Sequence, residues 1–255
     1  FHEPFMWIPA WLWKGYSRLY YAFGEETFGF SEAMHVLSLD DLRTRVILSR
    51  LRRAGYLVLF ERKARMRRYR AIDPSLLAFS EGAGIRNFTV PQGRYAQLIL
   101  LWCMKLLSYY GKRMRSIVLY GSVARGAASS SSDIDFMLVV DGLERSYGKR
   151  INEIVSLELD PSLMGERTFL RQHGYGGQLS NVVYTPEESE AFRLLYLDII
   201  HDGHILFDYQ GHFAKIAARL RARLDETGAK RVVLEGGGWY WDLKPDIQFG
   251  ERLEL

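Results

Sequence analysis

The chain is almost without cysteine: Cys103 is the one thiol in 255 residues. A single sulfur makes no internal disulfide and no cysteine zinc cluster. Lying among Leu100, Leu101, Met104 and Leu107, it reads as a small buried hydrophobe rather than a nucleophile. Such usage suits a reducing compartment, and a soluble, cytoplasmic protein is the expectation. Long apolar runs are missing too. The richest stretches, Phe5 to Trp13 and Leu98 to Leu107, are interrupted by Pro9, Trp102 or Lys105, and neither approaches the roughly 18 apolar residues of a membrane helix. No membrane partner is therefore expected. No internal repeat, long low-complexity run or targeting pattern stands out, although Phe1 rather than Met comes first, which leaves room for upstream residues.

Acids are scarce in one place. Between Arg43 and Arg70 there are ten Arg and one Lys against the single acid Glu61, a local charge of +10 that leaves −6 for the rest of a chain whose net charge is +4. Clustered guanidinium groups displace counterions from a phosphate backbone, so this stretch points to nucleic acid, with a solvated charged face as the plainer alternative.

With 48% hydrophobic residues, the chain can bury the cores of two modest domains. Trp7 to Phe23 reads as a packed helix ending near Gly24. Ser31 is a plausible N-cap for a short helix through His35 to Leu37, and Asp40 or Asp41 can open another that runs to Ala54 and stops at Gly55. On this last helix Ile47, Leu48, Leu51 and Ala54 share one side. Arg45, Arg52 and Arg53 lie broadly opposite, flanked by Arg43 and Arg50. Leu42 and Val46 break the division and are expected to touch the preceding helix or a target. Tyr56 to Phe60 and Met66 to Ile72 form a hairpin around a basic turn at Arg62 and Lys63.

This order, with LSRLRRAGYLVLFERKARMRRYRAIDP at its centre, resembles a winged helix-turn-helix. The resemblance implies that the third helix enters the major groove of double-stranded DNA while the wing touches flanking backbone. Arg43, Arg45, Arg50, Arg52 and Arg53 would then meet groove or phosphate, with Arg65, Arg67 and Arg68 on the wing. An acidic protein partner is the competing use of such a face, and dimerisation would match two half-sites.

Ser80 to Gly84 and Pro91 to Gly93 look like a linker, which divides the chain into 1–80, a linker 81–93, a second domain 94–227 and a tail 228–255. After a helix from Arg94 to about Tyr110, a short apolar strand runs through Leu119 and Tyr120 into Gly121-Ser122. The polar stretch Ala127 to Ser132 follows, and then a strand opening Asp133-Ile134-Asp135. Strand alternation puts Asp133 and Asp135 on one face. Two carboxylates side by side repel unless a cation joins them, and an all-oxygen setting suits Mg²⁺ or Mn²⁺. Gly121 permits close backbone approach, Ser122 offers a hydroxyl and an N–H to phosphate, and Arg125 adds charge.

LYGSVARGAASSSSDIDFMLVV resembles the signature of the minimal nucleotidyltransferases of the DNA polymerase beta superfamily, here joined to a winged helix as in archaeal proteins of that type. The expected fold is α+β, a winged helix-turn-helix followed by a mixed sheet flanked by helices. The resemblance implies that Gly121 and Ser122 hold the triphosphate and that Asp133 and Asp135 are metal-binding catalytic residues; Arg125 would add its charge to the same phosphates, and ATP is the expected nucleotide. The acceptor would be a hydroxyl on a protein, nucleic acid or small molecule. A third strand at Asn181 to Tyr184, a helix from Pro186 to Asp202 and a strand at Ile205 to Asp208 continue the likeness. One departure stands out: the third strand offers Gln178, Ser180 and Asn181 where active members place a third carboxylate. Glu158, Asp160 or Glu166 could replace it only if the fold brought one in. Without it, a DNA-binding regulator with a nucleotide-sensing or inactive transferase-like domain is the alternative.

His201-Asp202-Gly203-His204 is read as a helix end rather than a metal pair, and Gln172 to Gly177 as a loop that turns the chain. The aromatic tail, after a helix from Phe213 to about Thr227 and a strand at Val232 to Leu234, is expected to dock on the body or on a second subunit.

Overall fold

The computed structural model describes residues 9–246 apart from 65, 145 and 237, so Arg65 lies outside the described residues. The N-terminal part begins with α1 (Ala10–Phe23), which ends at Gly24 with φ of 54°. A three-residue strand β1 (Thr27–Gly29) leads into α2 (Phe30–Leu37) and α3 (Asp41–Arg53). The cap of α2 is Gly29 rather than Ser31: the Glu32 carboxylate reaches back to accept from the Gly29 N–H at 2.6 Å, half of a capping box that needs no serine. Asp40 caps α3 as its sequence suggests, accepting from the Arg43 N–H at 2.8 Å.

The hairpin comprises β2 (Leu57–Lys63) and β3 (Met66–Ala71). Its ladder continues to the pair Lys63 and Met66, so Arg62 and Lys63 belong to the strand and the turn falls just beyond them. β1 pairs with β3 on the other side, an addition too short to leave a periodic signal in sequence. Leu12, Tyr16, Leu19, Phe28, Leu37, Ile47, Leu48 and Leu51 form the core beneath. Ile47, Leu48 and Leu51 are buried as the helical wheel requires, while Leu42 and Val46 stay exposed along a groove of about 480 Å³ that they share with Trp11, Leu37 and Leu39.

Next come α4 (Pro74–Ala83), capped by Asp73, and α5 (Ala96–Tyr110). Helix α4 therefore occupies the opening of the stretch 81–93, and Pro91 to Gly93 is packed as well. The Gln92 amide bonds both ways with the Ala128 backbone, at 2.9 and 3.1 Å. This segment is a fastened connector, because the apolar residues on either side of it belong to one core that joins Val58, Phe60 and Ile72 to Tyr95, Trp102 and Leu106.

The main sheet has the order β6-β5-β4-β7, with β4 (Met114–Tyr120), β5 (Ile134–Val140), β6 (Leu179–Tyr184) and β7 (His204–Asp208). β5 runs antiparallel to β4 and parallel to β6. Between β4 and β5 stands the five-residue helix α6 (Gly121–Arg125). Between β5 and β6 stand α7 (Tyr147–Glu158) and α8 (Pro161–Gln172). The helix expected over Pro186 to Asp202 is broken into α9 (Pro186–Glu190) and α10 (Leu194–Asp202), because Ala191 and Arg193 are extended. Then α11 (His212–Thr227) leads to a hairpin of β8 (Lys230–Val233) and β9 (Trp239–Asp242). One sheet face packs Ile117, Leu119, Phe136 and Leu138 on α5, α7 and α8. The other packs Val118, Met137 and Val139 on α10 and α11.

The N-terminal part and the sheet are joined by a buried ion pair. Arg70 of β3 donates to both Glu166 oxygens of α8 at 2.6 and 2.8 Å, with side chains 1% and 2% exposed. It also bonds the Glu25 carbonyl and lies 3.9 Å from the Phe169 ring centre.

Candidate functional site

Strand β4 delivers Tyr120 to the sheet end, and the chain turns at Gly121 with φ of +76°, a conformation glycine adopts without strain. A Cβ there would lie 2.1 Å from the Asp135 Oδ2. The missing side chain is thus the space that the carboxylate occupies. Asp133 precedes β5 and is exposed; Asp135, the second residue of β5, is half-buried. Neither makes an ion pair among the described residues. Burial raises the Asp135 pKa above the usual carboxylate value and the Asp133 charge raises it further, against the lowering influence of the Ser180 hydroxyl and Arg125. A cation binding here would reverse that balance.

Asp133 and Asp135 fit a hard divalent cation, since both are oxygen donors and neither is ion-paired among the described residues. Among the described residues no group of three His, Cys, Asp or Glu could hold an ion. Two carboxylates are what Mg²⁺ commonly takes from a protein when phosphates and water complete its shell. Ser122 is the second residue of α6, next to Gly121, and Arg125 closes the same helix.

The third position is legible from the register. Asp135 stands beside Ser180 of β6, and Phe136 beside Asn181. Ser180 therefore shares the Asp135 face, while Asn181 points to the opposite one, where it accepts from the Trp102 indole at 3.1 Å and donates to Glu158 at 3.0 Å. The three replacement acids are all engaged away from the site. Glu158 also pairs with Arg167 at 3.5 Å. Asp160 caps α8 and holds Lys105 at 2.8 Å. Glu166 is committed to Arg70. Sheet parity excludes them, because α7 and α8 cover the face that the carboxylate pair does not use.

The His201 to His204 segment ends α10, with the Gly203 N–H bonded to the Ile199 carbonyl at 2.8 Å. It does more than sequence suggests. His204 bonds the Ala124 carbonyl of α6 at 3.1 Å, which ties β7 to the glycine-serine turn. Asp202 holds Arg231 of the tail at 3.1 Å. The tail docks on the body: the Trp239 indole donates to Asp198 at 3.1 Å, and the Arg125 and Arg231 guanidinium groups lie 4.7 and 4.1 Å from its ring centre. No sequence pattern announced that contact. The Gln172 to Gly177 loop likewise packs on β2, where the Tyr175 hydroxyl donates to Glu61 at 2.5 Å. Cys103 is buried, with its thiol pKa raised by desolvation.

On the basic side Arg43, Arg45, Arg50, Arg52, Arg53 and Arg67 are exposed. Arg45 is held by Asp41 at 2.6 Å. Arg68 has a different duty from the one expected, since its guanidinium bonds Thr27 and the Glu32 carboxylate and fastens β1 to α2.

The site has the elements of a nucleotidyltransferase, a glycine-serine turn facing paired aspartates at one end of a mixed sheet. The nucleotidyltransferase domain family matches residues 104–245, more than half of the chain, and the chain belongs to that family. The match extends through the hairpin of β8 and β9. No curated protein matches the sequence. Among solved structures, a toxin-antitoxin complex with AMP-PNP shares 17% identity at a TM-score of 0.33, covering 49% of this chain and 86% of that one. A nucleotidyltransferase-type structure from Sulfolobus solfataricus shares 15% at a TM-score of 0.25, covering 46% and 85%. Likeness at this level bears on no residue's role. Among the described residues no helix is long and apolar enough to cross a membrane.

Proposed function

We propose that this protein binds a magnesium–nucleoside triphosphate, with ATP as the donor, and transfers its nucleoside monophosphate to a hydroxyl, while its N-terminal part acts as a winged helix-turn-helix on double-stranded DNA. The observation that carries the first half is the Asp135 carboxylate lodged in the space of a missing Gly121 side chain, next to Asp133 and with no ionic partner among the described residues. An arrangement that leaves two acids unpaired costs stability unless a ligand uses them. Gly121 brings backbone up to the phosphates, Ser122 donates to them and Arg125 offsets their charge. A bound metal would stabilise the charge on the leaving pyrophosphate.

The DNA half is supported by the exposed arginines of α3 and by Arg67 on the hairpin, with Asp40 and Asp41 the acids at the helix start. Replacing Arg52 and Arg53 by Ala should weaken DNA binding and lower its salt slope by about 2; an unchanged slope removes α3 from the interface.

The nucleotide site is tested by titrating AMP-PNP calorimetrically with and without Mg²⁺ into the wild type and the Asp133→Asn, Asp135→Asn variant. Metal-dependent heat that the variant loses is expected; equal heat in both refutes the site. The Ser180 register favours one second reading, a DNA-binding regulator that senses nucleotide without turnover. That reading predicts the same heat but no label transferred from α-labelled ATP.

A further inference from the structure

Helix α6 carries Gly121 at one end and Arg125 at the other, separated by only about 6 Å of helix rise. The Asp135 carboxylate stands against the Gly121 end, and the Arg125 charge acts on it. Arg125 is half-buried, and among the described residues it makes no ion pair. Its guanidinium lies instead over the Trp239 ring, 4.7 Å from the ring centre. A ring under a guanidinium differs from an acid beside it. It holds the group without neutralising the charge, and it leaves the N–H groups in the guanidinium plane free to donate. Arg231 shows the contrast: it lies 4.1 Å from the same ring centre, yet it is bound to Asp202 at 3.1 Å and to His201 at 2.7 Å, so its charge is already matched.

The Trp239 ring is itself fixed from α10. Its indole N–H donates to Asp198 at 3.1 Å, and Asp202, one turn further along that helix, holds Arg231 of the partner strand β8. The same helix runs through Gly203 into His204, which bonds the carbonyl of Ala124, the neighbour of Arg125, at 3.1 Å. One segment therefore holds the backbone of α6 directly and its arginine through a tryptophan. A long side chain that a ligand must immobilise loses rotamer freedom on binding, and one held in place beforehand is spared that cost.

We propose that Trp239 is a positioning residue for the nucleoside triphosphate: it holds the Arg125 guanidinium in place with its donors uncommitted, ready for the phosphates at the glycine-serine turn. The tail hairpin of β8 and β9 is then part of the nucleotide site and acts through Arg125. This rests on the reading of Arg125 as a phosphate contact given above.

The test titrates AMP-PNP with Mg²⁺ calorimetrically into the whole protein, into Trp239→Leu, Trp239→Phe and Arg125→Met, and into the double variant Trp239→Leu, Arg125→Met. Trp239→Leu should weaken binding about 2–10-fold, the scale of ordering one long side chain, and Trp239→Phe, which keeps a ring, should recover most of that loss. Arg125→Met should weaken binding by about 10-fold or more, as loss of a hydrogen bond to a charged group does. Once Arg125 is gone, Trp239→Leu should cost nothing further, a result that a general loosening of the fold would not give. Where Trp239→Leu does not fold, Asp198→Ala, which keeps the ring and frees its indole, carries the same two expectations. Tyr240→Ala, on the exposed side of the same strand, should bind as wild type. Wild-type affinity in Trp239→Leu, or a loss of equal size with and without Arg125, overturns the proposal. If Arg125→Met binds as wild type, the Arg125 contact and this inference fall together while the nucleotide site stands. If the wild type gives no AMP-PNP heat, the nucleotide site falls with them.

Discussion

Replacing Gly121 by Ala tests the carboxylate site through one methyl group, and Gly84 supplies the control. Gly84 is left-handed, with φ of +70° and ψ of 30°, and has open space within 4 Å of where a Cβ would stand, whereas Gly121 combines φ of +76° with Asp135 atoms at 2.1, 3.0 and 3.2 Å. Gly84→Ala therefore carries only the left-handed strain, about 1–2 kcal/mol. Gly121→Ala adds the displacement of a packed carboxylate, about 1–3 kcal/mol more, for a total of about 2–5 kcal/mol. A protein of ordinary stability, about 5–15 kcal/mol, remains folded. Urea unfolding measures the two losses, and AMP-PNP titration with Mg²⁺ reads the site. The control should bind as wild type. Gly121→Ala, with Asp135 pushed aside, should lose about 10–100-fold in affinity, the scale of disturbing what orients a metal ligand. If it binds normally, or is destabilised no more than the control, the Asp135 carboxylate does not work from the position described.

Two other expectations follow from buried charge. Arg70→Met leaves Glu166 uncompensated and should cost about 3–5 kcal/mol in urea unfolding, most of it recovered by adding Glu166→Leu; a mild single variant, or a double variant no better, removes the ion pair from the junction. For Asp135, the folded pKa is raised by burial and by Asp133, so the folded state holds the proton more tightly than the unfolded chain. Stability falls as pH rises from the usual carboxylate value through the folded value. Asp135→Asn should accordingly raise the Tm of the ligand-free protein above that window, match wild type below it, and gain nothing from Mg²⁺ with AMP-PNP. A variant less stable than wild type at neutral pH contradicts the sign.

Much of the site was legible because its signals are local. A glycine-serine turn and alternating aspartates depend on a few bonded neighbours, and the register of Asp135 with Ser180 needs only strand parity once the parallel pairing is known. The caps at Asp40 and Asp73 are local in the same way. Contacts between distant segments left no trace in the pattern. Arg70 looked like one more basic residue of a hairpin, yet it is buried at the junction, because β3 faces α8. Arg68 was drawn inward by Glu32 and Thr27. Trp239 reached Arg125 and Asp198 through a strand pair too short to advertise itself. The expected linker failed for a related reason: glycine and serine at positions 80–84 mark a helix end as readily as a domain boundary, and the apolar residues that cross it decide which.

Ser180 is where these threads meet, and the geometry states what a single change there should do. Neighbouring strands lie about 4.8 Å apart, so Ser180→Asp would set a third carboxylate beside Asp135 on its own face, the place that Glu158, Asp160 and Glu166 cannot reach from the far side of the sheet. Without a cation three carboxylates repel, and the ligand-free variant should unfold at lower Tm than wild type at neutral pH, with the deficit removed by acid or by Mg²⁺ with AMP-PNP. If the missing acid is what limits transfer, labelling should rise by about 10²–10⁴-fold, the usual scale of general-base assistance, while Ser180→Ala binds AMP-PNP as wild type. Tighter metal binding without faster labelling would mean that the acceptor, rather than the base, is what the site lacks. A Ser180→Asp variant that neither loses Tm without metal nor regains it with metal would show that position 180 does not face Asp135, and the sheet register would then be wrong.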